Sequence, residues 1–371
     1  MNVAVIGRGT SAIINVLVLL KNNHKVTVFY DPSKPHISVG ESTTPPIGNL
    51  ICDVLGLSIH ELVKRGYFSY KMGINFVGWG CKDKFEHQFP NTTMAHHFDT
   101  NDFNSFVCDL LKDKGVKFIP KRVEENQLSD FDFVINCGGW STDDYYNITL
   151  ESVNSAWLFK KQYTEYSQFH TLHLATEDGW QFGLPYPNKK IFKCGYLFNN
   201  KYISNDDAKK KLPKDCDVTG FFTWKPRYAK TLVKNEKIAY NGNKLFFFEP
   251  LQALTLHFVL DFALLINEYL NDRQEYKRDE INQSYLKMIY GHQLDIAYHY
   301  SFGSKHKSKF WNDMIYKSKI MLNSSMHGYD TKFEDEINYD LKYKNDVSRL
   351  GSIDRFDHQQ LQKLVKWKLQ F

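Results

Sequence analysis

The opening residues hold the sharpest chemical pattern in the chain. Gly7-Arg8-Gly9-Thr10-Ser11-Ala12 follows the apolar run Val3-Ala4-Val5-Ile6 and leads into Ile13, Val16, Leu17 and Leu20, which recur at helical spacing. A first glycine lets the chain turn tightly. A second lets the backbone approach a pyrophosphate, and a small third residue, here Ala12, lets helix and strand pack closely. The N–H groups of Thr10, Ser11 and Ala12 at the helix start would then face phosphate oxygens. Asp31, just past the run Lys25-Val26-Thr27-Val28-Phe29, is the acidic residue expected to hold a ribose hydroxyl. The pattern implies a dinucleotide without choosing between FAD and NAD, and a tight strand–helix turn with no ligand is the alternative.

Other reactive residue types give weaker patterns. His96-His97, and His170 with His173, lack a third ligand at metal-binding spacing, so they read as structural and no metal is expected. The six cysteines (52, 81, 108, 137, 194 and 216) form no C-x-x-C pair, which points to reduced thiols in a cytoplasmic protein. Neither a Gly-x-Ser-x-Gly elbow nor a P-loop is present. Trp180 and Phe182 share one face of a strand, and by alternation alone they read as core.

These residues need elements to position them. The first thirty residues read as a βαβ unit, hence an α/β sheet with its ligand at the carboxyl ends of the strands. A helical stretch is expected over 47–65, a strand over 73–79, a helix over 102–114 capped by Asn101 or Asp102, and a buried strand over 131–136 ending at Gly138-Gly139. Short alternating runs over 153–225 read as an antiparallel sheet, and the chain turns helical from Ala253. The expected division is 1–270, with 150–226 as the substrate-facing sheet, and a helical cover over 271–371. At 371 residues and 42% hydrophobic, the chain can bury a sizeable core. Its formal charge of +5 is spread out rather than concentrated, and the one basic run, Lys209-Lys210-Lys211, reads as a solvated helix face, which argues against a nucleic-acid partner. The run 12–20 is too short to span a bilayer and the N-terminus lacks signal-peptide features, so no membrane partner is expected.

A set of later segments, in order, resembles the flavin-dependent tryptophan halogenases. Val39-Gly40-Glu41-Ser42-Thr43-Thr44-Pro45-Pro46 is similar to that family's strap over the flavin, and Tyr70-Lys71-Met72-Gly73-Ile74-Asn75-Phe76-Val77-Gly78-Trp79 to its catalytic-lysine segment. Asp132-Phe133-Val134-Ile135-Asn136-Cys137-Gly138-Gly139-Trp140 resembles its later flavin-contacting turn. Gly179-Trp180-Gln181-Phe182-Gly183-Leu184-Pro185 resembles its Trp-x-Trp-x-Ile-Pro signature, and Phe248-Glu249-Pro250-Leu251-Gln252-Ala253-Leu254-Thr255 its Leu-Glu-Pro-Leu-Glu-Ser-Thr-Gly. The likeness runs over about residues 1–315.

The resemblance implies an FAD-binding, flavin-monooxygenase-like (Rossmann-type) α/β fold with a mixed sheet, an abutting antiparallel sheet and a C-terminal helical region. It implies FAD supplied reduced by a separate flavin reductase, a halide ion (chloride, bromide or iodide), and a small aromatic substrate of indole or phenol type. A homo-oligomer is compatible with it. Gly7, Gly9, Thr10, Ser11, Ala12, Asp31, Gly40, Glu41, Ser42, Thr43, Gly138, Gly242, Glu249 and Pro250 are the implied cofactor-binding positions. Lys71 would take hypohalous acid and deliver its halogen; Trp180, Phe182 and Pro185 would line the passage between flavin and substrate.

Two departures shape that expectation. Gln252 stands where the family has a glutamate, and an amide accepts a hydrogen bond but is no base near neutral pH. A phenol, which pushes its own electrons when ionised, needs that base less than an indole. Leu254 and Thr255, at the implied halide position, replace Thr-Gly, which changes the local backbone freedom and points towards bromide or iodide. The chain is also shorter than typical members, implying a more open substrate pocket. A flavin-dependent aromatic hydroxylase and a non-catalytic flavin-binding protein stay open as alternatives.

Overall fold

Burial along the first strand defines the central layer. Val3, Ala4 and Val5 are all fully buried, so this strand is covered on both faces, as in the middle of an α/β sheet. The computed structural model describes residues 1–34, 41–80, 83–89, 94–139, 145–148, 150–162 and 169–326, with the backbone alone at Gln252 and at 324–326. Gly40 lies outside the described residues.

Strand β1 (Asn2–Ile6) pairs in parallel with β2 (Lys25–Phe29) on one side and β9 (Phe133–Asn136) on the other. The sheet extends through β8 (Lys117–Ile119) at one edge, and through β18 (Ile238–Tyr240) and the antiparallel β17 (Val233–Asn235) at the other. Val3 and Val5 face the main core, while Ala4 and Ile6 face a smaller cluster with Phe29, Val123, Leu128 and Val134. Helix α1 (Thr10–Lys21) covers the main face and packs against α6 (Leu254–Asn271), α2 (Pro45–Leu55) and α4 (Thr100–Asp113).

The stretch expected as one helix over 47–65 is two. Gly56 at φ +69° ends α2, and Ser58 starts α3 (Ile59–Lys64) with a capping box to Glu61. Asp99, not Asn101 or Asp102, caps α4, accepting from the Asn101 N–H at 3.3 Å.

A seven-stranded sheet abuts the first, ordered β15 (Asp217–Thr223), β11 (Ser155–Gln162), β14 (Ile191–Phe198), β13 (Gly179–Tyr186), β12 (His170–Thr176), β5 (Gly73–Val77) and β6 (Lys84–Gln88). It is not confined to 150–226, since β5 and β6 come from far earlier. It is not wholly antiparallel either, because β12 and β5 run parallel. A three-stranded sheet, β3 (Glu41–Ser42), β7 (Ala95–Phe98) and β4 (Phe68–Lys71), packs against the seven-stranded one through β7 and β13. A second small sheet joins β10 (Tyr145–Asn147), β16 (Arg227–Ala229) and β19 (Phe246–Phe247).

Helices α7 (Glu275–Ser301) and α8 (Lys309–Met326) pack together at the C-terminal side. The Trp311 indole N–H donates to the Thr176 carbonyl at 2.7 Å, which anchors α8 on the β12–β13 turn. The short α5 (Asn205–Lys210) presents Lys209 and Lys210 outward, the latter paired with Asp207. Among the described residues the cysteines are free thiols, and no helix is long and apolar enough to cross a membrane.

Candidate active site

The turn between β1 and α1 has the shape a pyrophosphate needs. Gly7 has φ +116°, and a Cβ there would stand 3.0 Å from the Cys137 carbonyl oxygen, so only glycine fits. Its N–H donates to Phe29 at 2.8 Å, which ties the turn to β2. Gly9 is the N-cap of α1 and offers no side-chain cap, leaving the amides of the first turn for a ligand. Gly242, φ +59°, lies against the same turn, where a Cβ would stand 2.5 Å from Ser11 Cβ. Thr10 accepts from Asn104 Nδ2 at 3.1 Å, and Ala12 is buried beneath the turn. Gly138 donates to Asn136 Oδ1 at 2.8 Å in the loop that touches Gly7, so two glycine turns close on one place.

Asp31 lies half-buried just beyond β2, and its Oδ1 accepts from Ser33 N at 2.9 Å and Ser33 Oγ at 2.6 Å. Those bonds hold its carboxyl below the usual range, so it is ionised at neutral pH, as a ribose contact requires. Glu41 is the opposite case. Burial raises its pKa to about 7 against a hydrogen bond from Thr10, and its Oε2 has no protein partner. Ser42 is buried beside it, and Thr43 is fixed to His96 by Thr43 N–H to O at 2.7 Å and His96 N–H to Oγ1 at 2.9 Å. The donor set fits a dinucleotide: free amides, two glycine turns, an ionised carboxylate just past β2, and an orphaned buried carboxyl oxygen.

Lys71 is the last residue of β4 and is 1% exposed. It stands opposite Ala95 on β7. Its Nζ lies 5.3 Å from the Phe89 ring centroid, and no carboxylate among the described residues pairs with it. Burial alone brings its pKa from 10.5 to about 7. At Met72 the chain leaves the small sheet and enters the seven-stranded one: Met72 N–H donates to Phe169 at 2.6 Å, and β5 begins at Gly73. Gly73 cannot carry a side chain, because a Cβ would stand 2.2 Å from the His87 carbonyl.

Every residue of β13 is buried. Trp180 packs against His173 (ring centroids 4.8 Å apart), Trp79 (6.2 Å) and Phe182 (6.4 Å). Pro185, at the other end of β13, accepts at its carbonyl from Ser69 Oγ at 3.2 Å, and the Tyr186 hydroxyl donates to Phe98 at 2.7 Å. The lysine strand and the tryptophan strand are therefore joined directly.

The carboxyl of Glu249, just before Pro250, is 2% exposed and is held by Ser152 Oγ and, at 3.2 Å, by Tyr300. Burial pushes it up to about 8. The backbone then turns through Leu251–Ala253; Ala253 has φ +59°, and Leu254 and Thr255 open α6 with no side-chain cap. Gln252 sits in that turn.

The family model for tryptophan halogenases matches residues 2–96 and 90–328. The chain belongs to the tryptophan halogenase family. With it come the enzyme class, a flavin-dependent halogenase, and the FAD-binding Rossmann-type fold. A curated relative, tryptophan 6-halogenase ThaL of Streptomyces albogriseolus, is 34% identical over 26% of this chain, a stretch that spans only 19% of the relative. Tryptophan 7-halogenase KtzQ of Kutzneria sp. is 20% identical over 84% of this chain and 78% of its own. The solved tryptophan 6-halogenase SttH of Streptomyces toxytricini superposes with a TM-score of 0.75 at 18% identity, covering 84% of this chain and 81% of that one.

Sequence reasoning singled out His97 and His173 and read them as structural. Both are buried within electrostatic reach of Lys71, whose charge depresses their pKa further after burial. The alternation His170-Thr171-Leu172-His173, which puts Thr171 and His173 on one buried face of β12, was the available signal.

Proposed function

We propose that this halogenase uses Lys71 to relay hypohalous acid to an electron-rich aromatic substrate of indole or phenol type. The observation that carries the reading is a fully buried lysine without a carboxylate partner, at the junction between the strap sheet and the Trp180 sheet. Such a group costs folding free energy and is kept where chemistry needs it.

Bound reduced FAD, with oxygen and halide, supplies hypohalous acid. The amides of Thr10, Ser11 and Ala12, with Gly7, Gly9, Gly138 and Gly242 making room, would hold the pyrophosphate, and Asp31 a ribose. Glu41, Ser42 and Thr43 would border the flavin. The backbone at Leu254 and Thr255 would take the halide at the start of α6, where helix amides favour an anion. With a pKa near 7, Lys71 is present both as ammonium, which donates to the oxygen of the acid, and as amine. The amine nitrogen bonds the halogen and releases water. The arene then takes the halogen, loses its proton, and leaves the amine as before. Trp180, Phe182 and Pro185 would keep the substrate away from the flavin and exclude water.

Gln252 supports phenols over indoles, since it cannot take the ring proton. The chain carries one nucleotide motif, which supports a separate flavin reductase as electron source. Mass spectrometry of a phenol and indole panel with enzyme, reduced FAD, oxygen and each halide tests the reading. Halogenated arene supports it. Hydroxylated arene, or no product with any pair, sinks it.

A further inference from the structure

Two buried histidines beside Lys71 have no role in the reading so far. Lys71 and His97 project from the same face of the small sheet: Lys71 is opposite Ala95, and His97 opposite Ser69. That face meets the seven-stranded sheet, where His97 Nε2 bonds Thr171 Oγ1 at 2.8 Å. Thr171 and His173 share one face of β12, so His173 reaches the same interior. His173 lies between Trp180 and Phe76, at 4.8 and 5.0 Å between ring centroids. His97 and His173 are 0% and 1% exposed, and Nδ1 of each has no hydrogen-bond partner.

A buried polar atom left unpaired costs about 1–3 kcal/mol, so two of them next to an unpaired lysine need an occupant. A metal does not fit, since no group of three His, Cys, Asp or Glu residues is arranged to hold one among the described residues. A halide does not fit against an imidazole nitrogen that presents its lone pair, which repels an anion. In the tautomer whose Nε2–H donates to Thr171, His97 Nδ1 carries such a lone pair. A small neutral molecule with one O–H donor and an acceptor oxygen matches both the lone pairs and the lysine. His96, also without partners, is excluded because it lies opposite Tyr70 on the other face and stacks on Phe68.

We infer that His97 and His173 complete, with Lys71, a relay pocket for hypohalous acid, an imidazole nitrogen accepting its O–H while Lys71 Nζ holds its oxygen or halogen. The inference rests on the halogenase reading above. No bond is made or broken by the histidines; they hold the acid in line for the lysine and keep it from escaping.

The experiment compares the full-length wild type with His173→Phe and His173→Asn under single turnover with reduced FAD, oxygen, bromide and a phenol that the wild type halogenates, with taurine present as a trap. Phenylalanine keeps the stacking on Trp180 and removes the nitrogen; asparagine returns a polar atom at the Nδ1 position. Three quantities are read: the rate of reduced-FAD oxidation, brominated phenol per FAD oxidised, and taurine haloamine. The expected result for His173→Phe is FAD oxidation within about twofold of wild type, brominated phenol down at least tenfold, and haloamine up to match. Partial recovery is expected in His173→Asn. Equal yields of brominated phenol in wild type and His173→Phe would overturn the inference, as would a loss of product without a rise in haloamine. If His173→Phe does not fold, His97→Leu is read in the same way. If the wild type halogenates no arene, the halogenase reading itself fails, and that outcome is distinct from a variant that behaves as wild type.

Discussion

Glu41 and Lys71 occupy the two edge strands of one three-stranded sheet, Glu41 pairing with Phe98 and Lys71 with Ala95 on the shared central strand β7. The strap at the dinucleotide cradle and the proposed relay lysine are thus held by a single strand, which also carries His96 and His97. Backbone pairing along β7 connects the two.

Lys71 is expected to be a stability liability. It ordinarily ionises near 10.5, and burial brings it to about 7. Between those values the unfolded chain holds a proton that the folded chain lacks, so this group's contribution rises with pH across the window and the full penalty stands below pH 7. Lys71→Met should therefore raise stability at pH 6 by roughly 3 kcal/mol, with the gain shrinking by pH 9. Thermal or urea unfolding at the two pH values checks this. A destabilised variant at pH 6 would show that the lysine is paired.

Glu249 should give the opposite slope. Its carboxyl is raised from 4.5 to about 8, so the folded chain holds the extra proton between those values and stability falls as pH rises through them. Glu249→Gln keeps a neutral group able to accept from Ser152 and Tyr300. Its stability at pH 5 should lie within about 1 kcal/mol of wild type, and it should lose less than wild type between pH 5 and 8. Parallel melting curves across that range would refute the assignment.

The cradle can be tested sterically. Gly242→Ala places a methyl group 2.4 Å from Ser11 Oγ at φ +59°, so both the turn and the helix start must shift. FAD affinity, followed by flavin fluorescence, should fall at least tenfold. The double variant Gly242→Ala with Ser11→Gly should recover part of it, because the clash is removed and only the backbone strain is left. Unchanged affinity in the single variant would place the dinucleotide elsewhere.

Much of this was legible in the sequence for physical reasons that can be named. The glycine turn is local, set by residues 7–12, and a strand–turn–helix pattern exposes it directly. Lys71 was reached through its resemblance to a family segment, and burial then gave it physical content. The relation between Lys71, His97 and His173 was hidden because it depends on two sheets meeting face to face, and on β5 and β6 joining a sheet whose other strands come from residues after 150. Likewise Gly56 splits a stretch that the apolar period reads as one helix, and Asp99 starts α4 two residues before the period does.

The Gln252 departure predicts substrate preference. Gln252→Glu adds a carboxylate that can take a ring proton, so the rate on an indole should rise several-fold relative to a phenol in a competition assay. A ratio that does not move would mean that this position lies away from the arene.

The most direct test of the relay is Lys71→Met in the complete enzyme, supplied with reduced FAD, oxygen, bromide, an accepted arene and a taurine trap. The account predicts that FAD oxidation and hypohalous acid formation continue, that taurine haloamine accumulates, and that halogenated arene falls to the level of free hypohalous acid in solution. Halogenated arene formed by Lys71→Met at the wild-type rate and with the wild-type positional selectivity would contradict it.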